Sequence, residues 1–204
     1  MFKSLSKKHN PIPHHAKKVF HGERWQVMQW DQELFDGTTK IYESLKRADS
    51  ASVLPVLDNN KIIIIEEHQP HWKEKAFSIA GGNIDEGENP LDGAKRELFE
   101  ETGMIFKDFY LVSIMHPLQN TDYTHYTYVA KNLLEQKEVL PDAGEKTVPI
   151  EISFEELILL ARKRVFHFNP HLIDEAIIRD QLPEFFDMLR NPEKHCFESN
   201  SFKL

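Results

Sequence analysis

Gly82-Asn-Ile-Asp-Glu-Gly-Glu88-Asn-Pro-Leu-Asp-Gly-Ala-Lys-Arg96-Glu97-Leu98-Phe-Glu100-Glu101-Thr-Gly103-Met104 is the stretch on which the reading of this chain turns. Its second half predicts a helix, with Asn89 as N-cap, Pro90 at the first helical position, Asp92 in the first turn and Gly103 as terminator. At about 100° per residue, Leu91, Ala94 and Leu98 share one stripe, and Glu97, Glu100 and Glu101 form an adjoining acidic one. Gly93 falls within the acidic stripe, where it removes a side chain at a cost of about 1 kcal/mol relative to Ala. Carboxylates at i, i+3 and i+4 repel one another, so a helix shaped only for stability avoids them. Clustered this way they suit a hard divalent cation, Mg²⁺ or Mn²⁺. The glycine-rich loop Gly81 to Gly87 can bring backbone groups close to metal or phosphate. Three glutamates alone would read more readily as a solvated acidic face than as a metal site.

On either side of this stretch the chain alternates short strands and late helices. Residues 1–19 read as a mobile arm, broken by Pro11 and Pro13. A small β unit follows, with strands Trp25 to Leu34 and Lys40 to Leu45 around the turn Asp36-Gly37. Ser52 to Leu57 and Lys61 to Glu67 are the next strand candidates. Four consecutive isoleucines from Ile62 suggest burial on both faces, and Pro55 suggests an edge position for the partner strand. Beyond the glycine loop and its helix, strands are expected at Phe109 to Met115, Tyr123 to Ala130 and Val148 to Ile152. A helix from Phe154 to Arg164 opens with the capping box Ser153/Glu156, and a last helix from Asn169-Pro170 to Arg190 is bent at Pro183. The pattern is α+β.

Composition narrows the function. A formal net charge of -8 disfavours a nucleic acid polymer as partner, because tracking a phosphate backbone needs a basic face. A small polyanionic substrate is compatible, since a metal ion can neutralise both phosphates and site carboxylates. The longest fully apolar run is Ile62 to Ile65, so no membrane span is expected. A single cysteine, Cys196, makes neither an internal disulfide nor a zinc site, which suits a cytoplasmic protein.

The quoted stretch resembles the Nudix box: Gly, five residues, Glu, seven residues, Arg-Glu-apolar-any-Glu-Glu-any-Gly-apolar. Every fixed position is filled, a coincidence on the order of one in ten million per chain by residue frequency. The resemblance implies the Nudix fold, an α/β/α sandwich with a mixed sheet, and a Mg²⁺-dependent (or Mn²⁺-dependent) pyrophosphohydrolase. It makes Glu97 and Glu101 the main metal ligands, Glu100 an auxiliary and Gly81 a backbone carbonyl donor. Arg96 would orient the glutamates and Glu88 would brace the loop and Arg96.

Roughly residues 20–165 also resemble the ADP-ribose pyrophosphatase subfamily. That likeness implies a nucleoside diphosphate-linked substrate, ADP-ribose or a related ADP-sugar, with another nucleotide sugar or a dinucleotide as the alternative; a non-catalytic nucleotide sensor of the same fold is the remoter reading, since all the box carboxylates are present. It also implies a homodimer built through the N-terminal sheet. Residues 1–46 would then be arm and dimerisation element, 47–190 the hydrolase domain and 191–204 a tail. Glu145 falls in the loop that often carries a catalytic glutamate, with Asp142 as the nearest substitute, and Pro117 lies near a subfamily proline. The chain departs from the subfamily with Ser78-Ile79-Ala80-Gly81 before the box, Pro117-Leu118 for a Pro-Gly pair, and Asp122 for a glutamate.

Other residues are open to two readings. Tyr126, with Tyr123, Tyr128 and His125, is placed either to stack on a base or to pack against a sheet; alternation puts Tyr126 and Tyr128 on one face. His116 and Gln119 flank Pro117, as phosphate or ribose contacts or as ordinary loop residues.

Overall fold

The computed structural model describes residues 12–138, 146–167 and 171–197, together with the backbone strand Ser4–Leu5. Among the described residues, twelve strands run in chain order: β1 Ser4–Leu5, β2 Lys17–His21, β3 Gln26–Glu33, β4 Thr39–Lys46, β5 Ser50–Pro55, β6 Ile62–His68, β7 Ala76–Ser78, β8 Gly81–Asn83, β9 Met104–Met115, β10 Thr121–Asp122, β11 His125–Gln136 and β12 Lys146–Ile152. Four α-helices accompany them among the described residues: α1 Pro90–Thr102, α2 Phe154–Arg162, α3 His171–Ile178 and α4 Leu182–Arg190.

A five-stranded mixed sheet in the order β1-β9-β11-β5-β8 forms the centre, beside a three-stranded antiparallel sheet β12-β6-β7. The isoleucine run shows how the layers arise. All four residues are buried, and strand alternation sends Ile62 and Ile64 to one side, Ile63 and Ile65 to the other. Ile63 and Ile65 join Ala51, Val53, Tyr126, Tyr128 and the α1 residues Ala94 and Leu98. Ile62 and Ile64 join Leu54, Val129 and the apolar faces of α2, α3 and α4. Full burial of an isoleucine is worth about 1.5–3 kcal/mol, so this strand alone anchors both cores. Helices on both sides of the sheets give the α/β/α layering.

Three expectations need correction. Residues 1–19 are not wholly an arm: Lys17 to Val19 begin β2, and Ser4–Leu5 pairs in parallel with Ser113 and Ile114 of β9. Strand β5 is interior despite Pro55. The Val53 N–H reaches Ala80 and the Val56 N–H reaches Ala130 on the opposite side. Alternation therefore points the Pro55 nitrogen towards β8, whose pairing covers only Ser50 to Ser52. The last helical region is two helices, separated at Asp180, which has φ 54°. Pro183 sits in the first turn of α4, where its missing N–H costs nothing. The expected start at Asn169-Pro170 lies outside the described residues.

The N-terminal unit is a separate sheet, β10-β4-β3-β2. Asp36 accepts from Thr38 at its turn, and Gly37 takes φ 82°. Almost none of this sheet is buried; Val19, Phe20, Ile41, Tyr42 and Leu45 are all exposed. At the other end, the beginning of the tail is packed: His195 is buried against Asp187 at 2.8 Å, and the Phe197 N–H bonds Leu111. No described helix is long and apolar enough to cross a membrane.

Candidate active site around the Arg96 guanidinium

Helix α1 begins and ends where its local chemistry predicts. The Asn89 side chain accepts from the N–H groups of Leu91 and Asp92, and Gly103 caps the other end at φ 68°. A Cβ at Gly103 would stand 2.2 Å from the Lys137 carbonyl, so glycine both ends the helix and admits β11 beside it. Leu98 and Ala94 face the core, which turns Arg96, Glu97, Glu100 and Glu101 towards the loop Gly81 to Glu88.

Arg96 is the hub. Its Nε and Nη2 donate to the two carboxylate oxygens of Glu88 at 3.1 and 3.0 Å. Nη1 donates to Glu97 at 2.8 Å and to Glu100 at 3.2 Å, and Nη2 also reaches the Asn83 carbonyl at 2.9 Å. Asp85 lies 3.9 Å away. These contacts raise the Arg96 pKa, the Glu88 hydrogen bonds most of all, so it is permanently charged. Glu88 itself also accepts from the Asp85 N–H at 3.0 Å, and its pKa is lowered, first by Arg96.

Glu97 behaves oppositely. Its carboxyl is held above the usual range because burial disfavours the charged form; Arg96 opposes this, while Glu100 and Asp85 add to it. A Cβ on Gly82 would lie 2.5 Å from the Glu97 carboxyl carbon and from both its oxygens, so the first box glycine is the space in which that carboxylate sits. Glu101 is held separately, accepting from the Gly81 N–H at 2.8 Å. A Cβ on Gly93 would meet the Glu88 carboxylate at 3.0 Å. Among the described residues, no three acidic, histidine or cysteine side chains already converge on a metal position; Glu97 and Glu100 lean on Arg96 instead.

The other expected site residues are dispersed. Tyr126 is buried in the core with Tyr128. Pro117 and Gln119 lie exposed on the loop between β9 and β10, next to the N-terminal sheet. His116 sits between the Tyr123 carbonyl and Thr124. Glu145 and Asp142 lie outside the described residues.

Two participants were not anticipated from sequence. Asn83, a variable position of the box, holds Arg96 through its carbonyl and accepts from Arg47 through its side chain at 2.8 Å. Arg47 lies over the rings of Tyr123 at 4.5 Å and Trp25 at 5.3 Å. It lines a cleft of about 160 Å³ with Gly22, Glu23, Arg24, Gln26 and Asn83, between the N-terminal sheet and the box loop. A lone arginine at a strand end carries no spacing signal, and only the fold brings it to residue 83.

The chain is similar to known proteins in sequence and in fold. The NUDIX domain model matches residues 46–175. The chain is 28% identical over 151 residues to the ADP-ribose pyrophosphatase of Bacillus subtilis (strain 168), covering 72% of this chain and 81% of that protein. It is 27% identical over 154 residues to the methanol dehydrogenase activator of Bacillus methanolicus, covering 74% and 83%. The fold superposes on a crystal structure of an ADP compounds hydrolase with a TM-score of 0.66 at 21% identity, over 88% of this chain and 98% of the other. With a complete box placed on loop and helix as its pattern requires, the chain belongs to the NUDIX domain family.

Proposed function

We propose that this enzyme, a pyrophosphohydrolase of the Nudix type, hydrolyses ADP-ribose or a related ADP-sugar to AMP and a sugar phosphate, with Mg²⁺ and in the cytoplasm. The observation that supports it most is the filled box gathered around Arg96, with an ADP-ribose pyrophosphatase among the relatives. The donor set fits a hard dication: the carboxylates of Glu97, Glu101 and Glu100 and the Gly81 backbone carbonyl are all oxygen donors. Glu97, made costly to ionise by burial and by neighbouring carboxylates, gains from a cation. When bound, Mg²⁺ supplies charge neutralisation on the diphosphate and a lowered pKa for a coordinated water.

The chain's own groups provide the setting. Glu88 fixes Arg96, Arg96 aims Glu97 and Glu100, and the Gly81 N–H aims Glu101. A glutamate takes the water's proton; the resemblance nominates Glu145. The exposed N-terminal sheet supports the homodimer, since Val19, Phe20, Ile41, Tyr42 and Leu45, apolar and exposed on its two faces, are suited to burial against a second copy.

The test is a substrate panel with the full chain: ADP-ribose, other ADP-sugars, UDP-sugars and dinucleotides, each with Mg²⁺ and with Mn²⁺. Release of AMP and ribose 5-phosphate from ADP-ribose, faster than turnover of the other substrates, is expected. Faster turnover of a UDP-sugar or dinucleotide would overturn the substrate assignment, and no turnover of any would overturn the hydrolytic reading.

A further inference from the structure

His125 opens β11 beside the start of β5, on the sheet face opposite α1, because its neighbour Tyr126 and the β5 residue Ala51 belong to the core under α1. Both ring nitrogens are engaged. Nδ1 lies 2.7 Å from Ser50 Oγ and Nε2 lies 3.0 Å from Ser52 Oγ. Ser50 Oγ in turn lies 2.6 Å from the Tyr123 hydroxyl. A neutral imidazole has one donor and one acceptor nitrogen, so a hydrogen-bond chain running one way through the three hydroxyls satisfies both. Burial lowers the His125 pKa to about 4, with Arg47 and His171 adding to the effect, which keeps the ring neutral near pH 7.

The strand that His125 holds is the seat of the box. Ser50, Ala51 and Ser52 pair with Asn83, Gly82 and Gly81. The contact is backbone against backbone: a Cβ on Gly81 would lie 2.3 Å from the Ala51 carbonyl and 2.6 Å from Ser52 Cα. The Gly81 N–H carries Glu101 and the Asn83 carbonyl carries Arg96. A displacement of Ser50 to Ser52 therefore reaches a metal-ligand candidate and the guanidinium hub with no flexible group between. A second link closes the circuit, since the Tyr123 ring lies under Arg47, which holds the Asn83 side chain.

We propose that His125 is a positioning residue for the hydrolytic reaction: clamped between Ser50 and Ser52, it fixes β5 beside β8 and so sets the placement of Glu101 and Arg96. The inference rests on the phosphoanhydride hydrolase reading above. It is tested on the full chain with His125→Phe, which keeps a ring but no hydrogen bonds, and His125→Asn, which restores a donor and an acceptor. Ser52→Ala provides a milder version in case the Phe variant does not fold.

The measurements are kcat and KM for ADP-ribose with Mg²⁺, Mn²⁺ affinity of the substrate-free protein by electron paramagnetic resonance, and Tm. His125→Phe should lower kcat by about 10–100-fold with KM within about 3-fold, as misplacement of catalytic groups by an ångström does, and should weaken Mn²⁺ binding. His125→Asn should recover most of both, and Ser52→Ala should move them in the same direction by less. Unchanged kcat and Mn²⁺ affinity in folded His125→Phe would overturn the proposal, as would a His125→Asn protein no better than the Phe variant. Should His125→Phe not fold, unchanged kcat and Mn²⁺ affinity in Ser52→Ala would overturn it. If the wild-type chain leaves ADP-ribose intact, the substrate reading has failed, and the Mn²⁺ arm still decides the role of His125.

Discussion

Replacing Gly82 with alanine separates the chemistry of the box from its stability. The added Cβ would stand 2.5 Å from the carboxyl carbon and both oxygens of Glu97. Ordinary contact is about 3.5 Å or more, so the carboxylate must retreat by about 1 Å. A retreat of that size away from Arg96 takes the 2.8 Å bond beyond hydrogen-bonding distance. Loss of one charge-assisted hydrogen bond costs about 1.5–3 kcal/mol. Arg96 keeps Glu88, Glu100 and the Asn83 carbonyl, and the alanine stiffens the unfolded chain by about 0.4–1 kcal/mol. The net destabilisation should thus be about 0.5–2.5 kcal/mol, while a 1 Å error at a metal-ligand position should lower kcat by about 10²-fold. Gly103→Ala is the control. Its Cβ would meet a backbone carbonyl at 2.2 Å, and its φ of 68° is unfavourable for alanine, so stability should fall further. Urea unfolding and ADP-ribose turnover with Mg²⁺ measure both variants. A Gly82→Ala enzyme within a few-fold of wild-type kcat would refute the assignment of Gly82 as the seat of Glu97.

Three further outcomes are expected. Glu101→Gln should reduce turnover by orders of magnitude with an unchanged circular dichroism spectrum, because only the charge on the group held by Gly81 is removed; near-wild-type turnover at saturating Mg²⁺ would mean the box is vestigial. The folded pKa of His125, about 4, is depressed below its ordinary 6.5, so the native state binds fewer protons than the unfolded chain. Its contribution is complete above about pH 6.5 and lost as the pH falls towards 4, by up to about 3 kcal/mol; urea melts at pH 7.5 and 5 should show this slope, and His125→Asn should flatten it. Deleting residues 1–46 removes β1 to β4 and the partner of β10, and should convert a dimer into monomer or aggregate by light scattering; an active, monodisperse protein of unchanged oligomeric state would count against the dimerisation role.

Local signals were legible and crossings were not. The boundaries of α1 follow from Asn89, Pro90 and Gly103, and the buried strand follows from four isoleucines, because each signal acts on its own few residues. Glu97, Glu100 and Glu101 were legible as a cluster from helix period alone, yet their unequal environments were not: Glu97 is enclosed, Glu100 exposed. Pro55 misled because sequence shows a missing N–H but not which side of the strand it faces. Pro183 misled in a similar way, since a proline that bends one helix and a proline that starts another look alike. Arg47 meets Asn83 and His125 meets Ser50 and Ser52 across strands far apart in the chain, so no periodicity could bring them together.

The carboxylates around Arg96 divide by electrostatics into two roles. One guanidinium faces Glu88, Glu97 and Glu100 within 3.2 Å, with Asp85 at 3.9 Å. It cannot neutralise them all. Glu88 takes two of its hydrogen bonds and its pKa is lowered, as for a carboxylate whose partner is already present. Glu97 takes one hydrogen bond, loses water, and its pKa is raised, as for a carboxylate whose partner is insufficient. Glu88 is thus suited to bracing Arg96, and Glu97 is a position where additional positive charge would bring relief. Arg96 cannot supply that charge without releasing Glu88, which would free the loop that carries Gly82. A divalent cation can supply it, and by competing with Nη1 for the Glu97 and Glu100 oxygens it would leave the Arg96–Glu88 brace intact.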